Sequence, residues 1–153
     1  MAQSASMQSP VAAAARLGHG FIAGFLATLL FHQPGLALLH RLGLFPGIAF
    51  DMRGVPPFGV PAVVQLAFWG GVWGIAFAAL ERAVARLPGG YWPGAILFGA
   101  VAPTLVLWFV VLPLKGLPVG FGFHFPGLLV APIVDALWGL GTAVFLRLRP
   151  GER

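Results

Sequence analysis

The chain alternates between long apolar runs and shorter stretches that are polar or rich in glycine and proline. Each apolar run is nearly free of charge and reaches the roughly 20 residues that a helix needs to cross a bilayer. The runs predict four transmembrane helices, at about residues 17–43, 60–84, 93–114 and 125–147. We therefore expect an all-α, polytopic membrane protein whose four-helix domain covers residues 17–149, with flexible tails at residues 1–16 and 150–153.

The composition agrees with a membrane protein. Of the 153 residues, 59% are hydrophobic and 8% are charged, whereas soluble domains contain about 25% charged residues. The formal net charge is +5, but the basic side chains lie at the ends of the apolar runs and form no stripe. The lipid bilayer is therefore the expected partner and nucleic acid is not. Because the chain contains no cysteine, disulfides, thiolate zinc sites and iron–sulfur clusters are excluded.

The basic residues also predict the orientation of the chain. Six of them lie on the side of the membrane that holds the termini, and three lie on the opposite side, which we call the outer face. Those on the terminal side are Arg16, Arg82, Arg86, Arg147, Arg149 and Arg153, and those on the outer face are Arg41, Arg53 and Lys115. Because cytoplasmic loops carry an excess of Lys and Arg, we expect a multi-pass protein of the cell inner membrane with both termini in the cytoplasm.

Small residues recur at spacings of three and four along the apolar runs. In lipid, stripes of this kind allow the backbones of two helices to approach closely. The glycines that predict such helix packing are Gly20, Gly24, Gly70, Gly74, Gly99 and Gly139.

The two halves of the chain resemble each other. Trp73-Gly74-Ile75 in the second run matches Trp138-Gly139-Leu140 in the fourth, and Arg53-Gly54-Val55-Pro56 matches Lys115-Gly116-Leu117-Pro118. The matches favour two tandem two-helix repeats in parallel orientation, because two spans restore the direction of the chain. Apolar sequence of low complexity can imitate such matches, so duplication and coincidence both stay open.

A polar segment, Phe31-His32-Gln33-Pro34-Gly35, interrupts the first apolar run. Pro34 lacks an amide donor and Gly35 loosens the next turn, so we expect a break in the helix here, and a kink at Pro103 in the third run. His32 and Gln33 lie near the middle of the predicted span. Polar side chains at that depth cost free energy unless they find partners.

Asp135 is the one acid inside an apolar run, and it lies at a depth similar to that of His32. A buried His32–Asp135 pair is therefore predicted, within a polar midplane site that also includes Gln33 and Gln65. Two interpretations fit these residues. They could bind an ion, a proton or a polar ligand, or they could form structural hydrogen bonds that hold the bundle together.

The loops on the outer face are unusually apolar. Residues 44–59 and 117–126 carry so many apolar side chains that we expect them to lie over the helix ends or in the headgroup zone. His40 and His124 lie at the outer ends of their helices and could share a metal ion or haem. Contacts with lipid headgroups would explain the same positions, and only Asp51 is near enough in topology to be a third ligand.

Three classes of function fit these features. The first, which the sequence favours, is a non-catalytic accessory or assembly component of the cytoplasmic membrane that docks on other helices. The second is a small transporter or channel, as a homo-oligomer, that uses the midplane site. The third is a haem- or quinone-binding redox protein, although the sequence does not specify a cofactor. Hydrolytic chemistry has no support, because the sequence contains no nucleophile–base pair and no pair of acids. Buried polar side chains at the midplane distinguish the transporter class from the accessory class, because a protein that only docks on other helices does not need them.

The orientation can be tested with reporter fusions. Fusions after Arg86 and after Arg153 are expected to report the cytoplasm, whereas fusions near Asp51 and Gly120 are expected to report the outside. An external signal from the fusion after Arg86 would overturn the predicted topology.

Overall fold

A computed structural model of the chain describes residues 10–148. It contains four helices that are long and apolar enough to cross a membrane: α1 (Pro10–Arg41), α2 (Ala62–Val84), α3 (Tyr91–Leu114) and α4 (Gly127–Arg147). Two short strands, β1 (Gly54–Val55) and β2 (Val60–Pro61), pair antiparallel before α2. A 3-10 turn (Val119–Phe123) precedes α4. The protein is thus an all-α, multi-pass membrane protein, as the pattern of apolar runs predicted.

The largest difference from the predicted boundaries lies at the start of the chain. α1 begins at Pro10, so residues 10–16 belong to the helix and not to a flexible tail. Proline suits the first turn of a helix, and the alanines that follow it are the best helix formers, although they show no apolar periodicity. Residues 1–9 and the predicted C-terminal tail lie outside the described residues, as do Arg149 and Arg153.

The four helices form two antiparallel pairs that are joined through α1 and α4. α1 packs along α2, α3 packs along α4, and α1 also packs along α4, so α1 and α4 occupy the centre. Because consecutive helices alternate in direction, the start of α1 and the end of α4 lie on the same face of the bundle. α2 and α3 contact each other at their connecting turn, where Gly94 lies against the backbone of Val84, and further along through the rings of Phe77 and Phe98.

Glycines set the closest approach within each pair. α1 and α2 cross where Gly24 faces Gly74, so a Cβ built on Gly24 would lie 2.9 Å from the Cα of Gly74. α3 and α4 cross where Gly99 faces Gly139, and a Cβ built on Gly99 would lie 2.8 Å from the Cα of Gly139. Gly20 and Gly70 belong to the first of these crossings. All six glycines of the predicted stripes therefore lie at the two crossings, and both helix pairs use the same close glycine contact, as tandem repeats would.

The predicted helix break at Pro34 and Gly35 is wrong. α1 continues through a π-helical segment, Thr28–His32, in which the amide of Gln33 donates to the carbonyl of Thr28. The extra residue in this turn carries the helix past a proline that cannot donate. Gly35 has a packing role instead, because a Cβ there would lie 2.6 Å from Leu137 Cδ1.

α3 repeats this arrangement. Its π-helical segment, Leu107–Val111, also ends two residues before a proline, Pro113. The amide of Leu112 donates to the carbonyl of Leu107, five residues back. Pro103 lies inside the helix without ending it. π-helical turns of this kind are rare and often occur at functional sites.

The outer loops lie over the helix ends, as their apolar composition predicted. In the first loop, Leu44 and Phe45 pack against Leu36, Leu39 and Val134. The backbone carbonyls of Asp51 and Arg53 accept the amides of Val63 and Ala62, which satisfies donors at the start of α2. In the second loop, the ring of Phe123 packs edge-on against Trp108, with centroids 5.8 Å apart.

The α1–α2 crossing predicts the effect of a single methyl group. Gly24→Ala should lower the free energy of unfolding by roughly 1–3 kcal/mol, because the new Cβ meets backbone that cannot move aside. Gly18→Ala is the matched control, since a Cβ at Gly18 meets nothing within 4 Å. Circular dichroism during titration with a denaturing detergent would measure both changes. Equal stability of the two variants would contradict the close crossing.

Candidate functional site

The structure brings His32 and Asp135 together where α1 packs against α4. The Nε2 atom of His32 lies 3.6 Å from Oδ1 of Asp135. This distance is too long for a good hydrogen bond but short enough for an ion pair or for a shared proton after a small movement. Only 9% of His32 is exposed. The two residues are 103 positions apart in the chain, and the antiparallel packing of the two central helices places them at the same depth.

Thr104 on α3 completes the surroundings of the carboxylate. Its Oγ1 atom donates to Oδ2 of Asp135 at 2.8 Å. Thr104 is only 2% exposed, so this hydrogen bond lies in the interior of the bundle. One carboxyl group therefore connects side chains from α1, α3 and α4. The sequence interpretation did not include Thr104, although it is the one hydroxyl between Tyr91 and the end of α3.

Trp138 fixes the helix contact beside the pair. Its Nε1 atom donates to the carbonyl oxygen of Gly24 at 3.0 Å, and Thr28 Oγ1 donates to the same oxygen at 3.0 Å. On α4, Thr142 donates to the carbonyl of Trp138. The bond from Trp138 to Gly24 joins α1 to α4 one turn from Asp135, so the carboxyl group is positioned by helices and not by loops.

The two glutamines of the predicted site lie elsewhere. Gln33 is buried, but its Oε1 atom accepts the amide of Phe50 at 2.6 Å and so anchors the first outer loop. Gln65 is exposed on α2. Val63 and Ala67 form the buried face of that helix, and a residue halfway between them points to the opposite side. Gln65 is therefore not part of the polar group around Asp135.

The histidines on the outer face remain separate from this group. His40 and His124 are both exposed. The Nδ1 atom of His40 lies 3.0 Å from the carbonyl oxygen of Phe45, which gives this ring a structural hydrogen bond. Within residues 10–148, no group of three or more acids and histidines is arranged to hold a metal ion. The geometry gives the predicted metal or haem site no third ligand.

Asp51 and Arg53 form a local ion pair in the first outer loop. The Nε atom of Arg53 donates to both carboxylate oxygens of Asp51 at 2.9 Å. This hydrogen bonding lowers the pKa of Asp51 to about 2. Any stabilisation from the pair is complete above the ordinary pKa of 3.8 and is lost only as the pH falls toward 2. Asp51 therefore stays ionised near neutral pH, outside the spans.

Comparison with known proteins adds no relative to these observations. No family model matches the chain, and no curated protein or solved structure compared with it gives a match. The function has to be argued from the site itself.

Double-mutant analysis would measure how strongly His32 and Asp135 interact. Asp135→Asn should lower the free energy of unfolding modestly, because an amide still accepts the bond from Thr104. His32→Ala should cost more, because it leaves the carboxyl group without its α1 partner. The double variant should cost less than the sum by roughly 0.5–3 kcal/mol. Additive losses in detergent unfolding would show that the pair does not interact.

Proposed function

We propose that this protein is a small transporter that binds one proton between His32 and Asp135 during its cycle. The observation that carries the proposal is the 3.6 Å approach of His32 Nε2 to Asp135 Oδ1 inside the spans. An acid at the centre of a span costs about 2.5–3.5 kcal/mol on insertion scales. A protein that needed only rigid packing would be more stable with apolar side chains at these positions.

The chemistry of the pair suits reversible proton binding. With one proton, the pair is neutral overall, either as imidazolium with carboxylate or as neutral imidazole with carboxylic acid. Without that proton, it carries one negative charge in surroundings of low dielectric. Removing the proton therefore requires contact with water on one side of the membrane or a compensating cation. A change of helix packing that opens the pair to water on one side of the membrane can therefore control proton binding and release.

The arrangement of the helices supports a homo-oligomer. Four helices, two of them peripheral, leave little room for a path through a single chain. α3 buries the smallest share of its surface of the four spans, so it offers the largest face to a neighbouring copy. The excess of arginine on the terminal side of the bundle, at Arg16 near the start of α1, Arg82 and Arg86 around the end of α2, and Arg147 at the end of α4, supports an inner-membrane location with both termini in the cytoplasm.

A second candidate is the accessory or assembly role. It is favoured by large apolar side chains on the outer face that the chain itself does not cover: Phe58 is 87% exposed, Leu114 82% and Phe125 74%. Exposed apolar patches at the helix ends and in the loops mark contacts with lipid or with another protein. Purification of the protein in mild detergent distinguishes the two proposed functions, because an accessory component would retain other subunits at fixed stoichiometry.

Proton uptake into reconstituted vesicles tests the transport proposal. With a pH dye trapped inside and acid added outside, vesicles that contain the wild-type protein should acidify several times faster than protein-free vesicles. Asp135→Asn should remove the difference, because the carboxyl group that takes the proton is gone.

The matched control is Asp51→Asn, which removes the acid of the first outer loop and should leave the rate unchanged. Size-exclusion profiles must be the same for all three proteins, so that a change in rate cannot arise from unfolding. Equal rates for the wild type and Asp135→Asn would overturn the proposed function.

A further inference from the structure

Three apolar side chains close the outer side of the His32–Asp135 pair. Leu36 follows His32 by four residues, which is about one turn of α1 toward the outer face. Val134 is the neighbour of Asp135 on the same side, and both pack with Leu39 in one buried cluster. We call Leu36, Leu39 and Val134 the plug. Water that approaches the pair from the outer face has to pass it.

The start of the first outer loop covers this plug. Residues 44–50, which we call the lid, place Leu44, Phe45 and Ala49 against it. The amide of Leu44 donates to the carbonyl oxygen of Leu39, which ties the beginning of the lid to the last turn of α1. The lid is therefore held by apolar packing along its length and by hydrogen bonds near its ends.

The hydrogen bond at the far end of the lid reaches into the bundle. The amide of Phe50 donates to Oε1 of Gln33, which is only 3% exposed and directly follows His32 in α1. Phe50 has a φ of 55°, in the left-handed region that residues other than glycine rarely adopt. The closed lid thus holds backbone strain at the residue whose amide keeps it closed, and opening would relieve that strain.

An apolar cavity beside the plug leaves room for movement. It has a volume of about 100 Å³, and its walls include Leu39 of the plug, Leu44 of the lid and Val130 of α4. All the side chains that line it are apolar. Protein interiors are normally packed without voids larger than a water molecule. Side chains of the plug and the lid can therefore change position here without a separation of the helices.

The terminal side of the pair is closed by the helices themselves. A cluster that draws on all four helices, which we call the terminal cluster, has members at most 3% exposed: Ala23, Phe77, Ala78, Val84, Ala95, Ala143 and Leu146. Backbones touch beside it, since a Cβ built on Gly20 would lie 2.6 Å from the carbonyl oxygen of Gly74. Opening this side requires helices to move apart, whereas opening the outer side requires movement of the lid and the plug only.

We propose that the lid controls the access of water from the outer face to the His32–Asp135 pair, and that the hydrogen bond from Phe50 to Gln33 holds it closed. The proposal rests on the transport function and names the side from which its proton enters. When this bond breaks, Oε1 of Gln33 becomes a buried acceptor without a partner, which is costly until water reaches it. Entry of water beside His32 therefore stabilises the open lid.

Cysteine labelling in nanodiscs tests the lid, because the chain contains no cysteine of its own. Val134→Cys places a thiol in the plug, and Val84→Cys places one in the terminal cluster; the two positions are 3% and 2% exposed. A charged, water-soluble methanethiosulfonate reagent modifies a buried thiol only when it is opened to water, so the rate follows the open fraction. Both faces are accessible in a nanodisc, so the result does not depend on the orientation of the chain.

Gln33→Leu should raise the labelling rate of Val134→Cys at least about fivefold, the change expected when one hydrogen bond is lost. The rate at Val84→Cys should stay the same, which shows that the whole bundle has not loosened. Gln65→Leu is the matched control, because it removes the same amide from the exposed face of α2 and should change neither rate.

A second pair of variants covers the case in which Gln33→Leu does not fold. Leu44→Ala shortens the lid where it packs on the plug and alters no helix, so it should also raise the rate at Val134→Cys. Phe58→Ala is its control, since Phe58 lies in the same outer loop but is 87% exposed. It should leave the rate unchanged.

An unchanged rate at Val134→Cys in both the Gln33→Leu and the Leu44→Ala backgrounds would overturn the role of the lid, even if the wild type takes up protons. An equal rise at Val84→Cys would also overturn it. Faster labelling confined to Val134→Cys, in a protein whose wild type shows no proton uptake, would overturn the transport proposal and leave the lid standing.

Discussion

A carboxyl group inside the apolar span of α4 is the constraint on which the rest of the bundle depends. Asp135 can remain in hydrocarbon only if other side chains replace the hydrogen bonds that water would give it. Thr104 donates one such bond from α3, and His32 on α1 approaches the other carboxyl oxygen at 3.6 Å. Both partners have short side chains, so α1 and α3 must lie close to α4. The free-energy cost of an unpaired carboxyl group in hydrocarbon therefore favours a tight bundle with α4 at its centre.

The glycine crossings and the π-helical segment supply that geometry. Gly99 against Gly139 brings the backbones of α3 and α4 together one turn from Asp135. On α1, the π-helical turn at Thr28–His32 ends at His32, so the extra residue helps to determine the direction in which the imidazole points. A regular turn would rotate every later residue of α1 by about 100° relative to α4.

Much of this arrangement could be predicted from the sequence because it follows from composition and spacing. The number of helices, the packing glycines and the approach of His32 to Asp135 depend on apolar length, small-residue stripes and depth. The π-helical turns depend on how Pro34 is accommodated by tertiary packing, which no local pattern encodes. The sequence interpretation missed Thr104 because a threonine inside a span commonly bonds to its own helix and so does not indicate a site. It misplaced Gln65 because the depth of a residue does not show on which face of the helix it lies.

The comparison of the two helix pairs explains why, within residues 10–148, the acid and the histidine meet where the pairs join. Gly70 and Asp135 occupy equivalent positions, each four residues before its crossing glycine. Thr28 lies against Gly70 in the first pair, just as Thr104 bonds to Asp135 in the second. If the pairs arose by duplication, only the second has an acid at this position, and the first contributes His32 across the central contact. The site therefore lies between the pairs, and any movement of one pair against the other changes the distance between the imidazole and the carboxyl group.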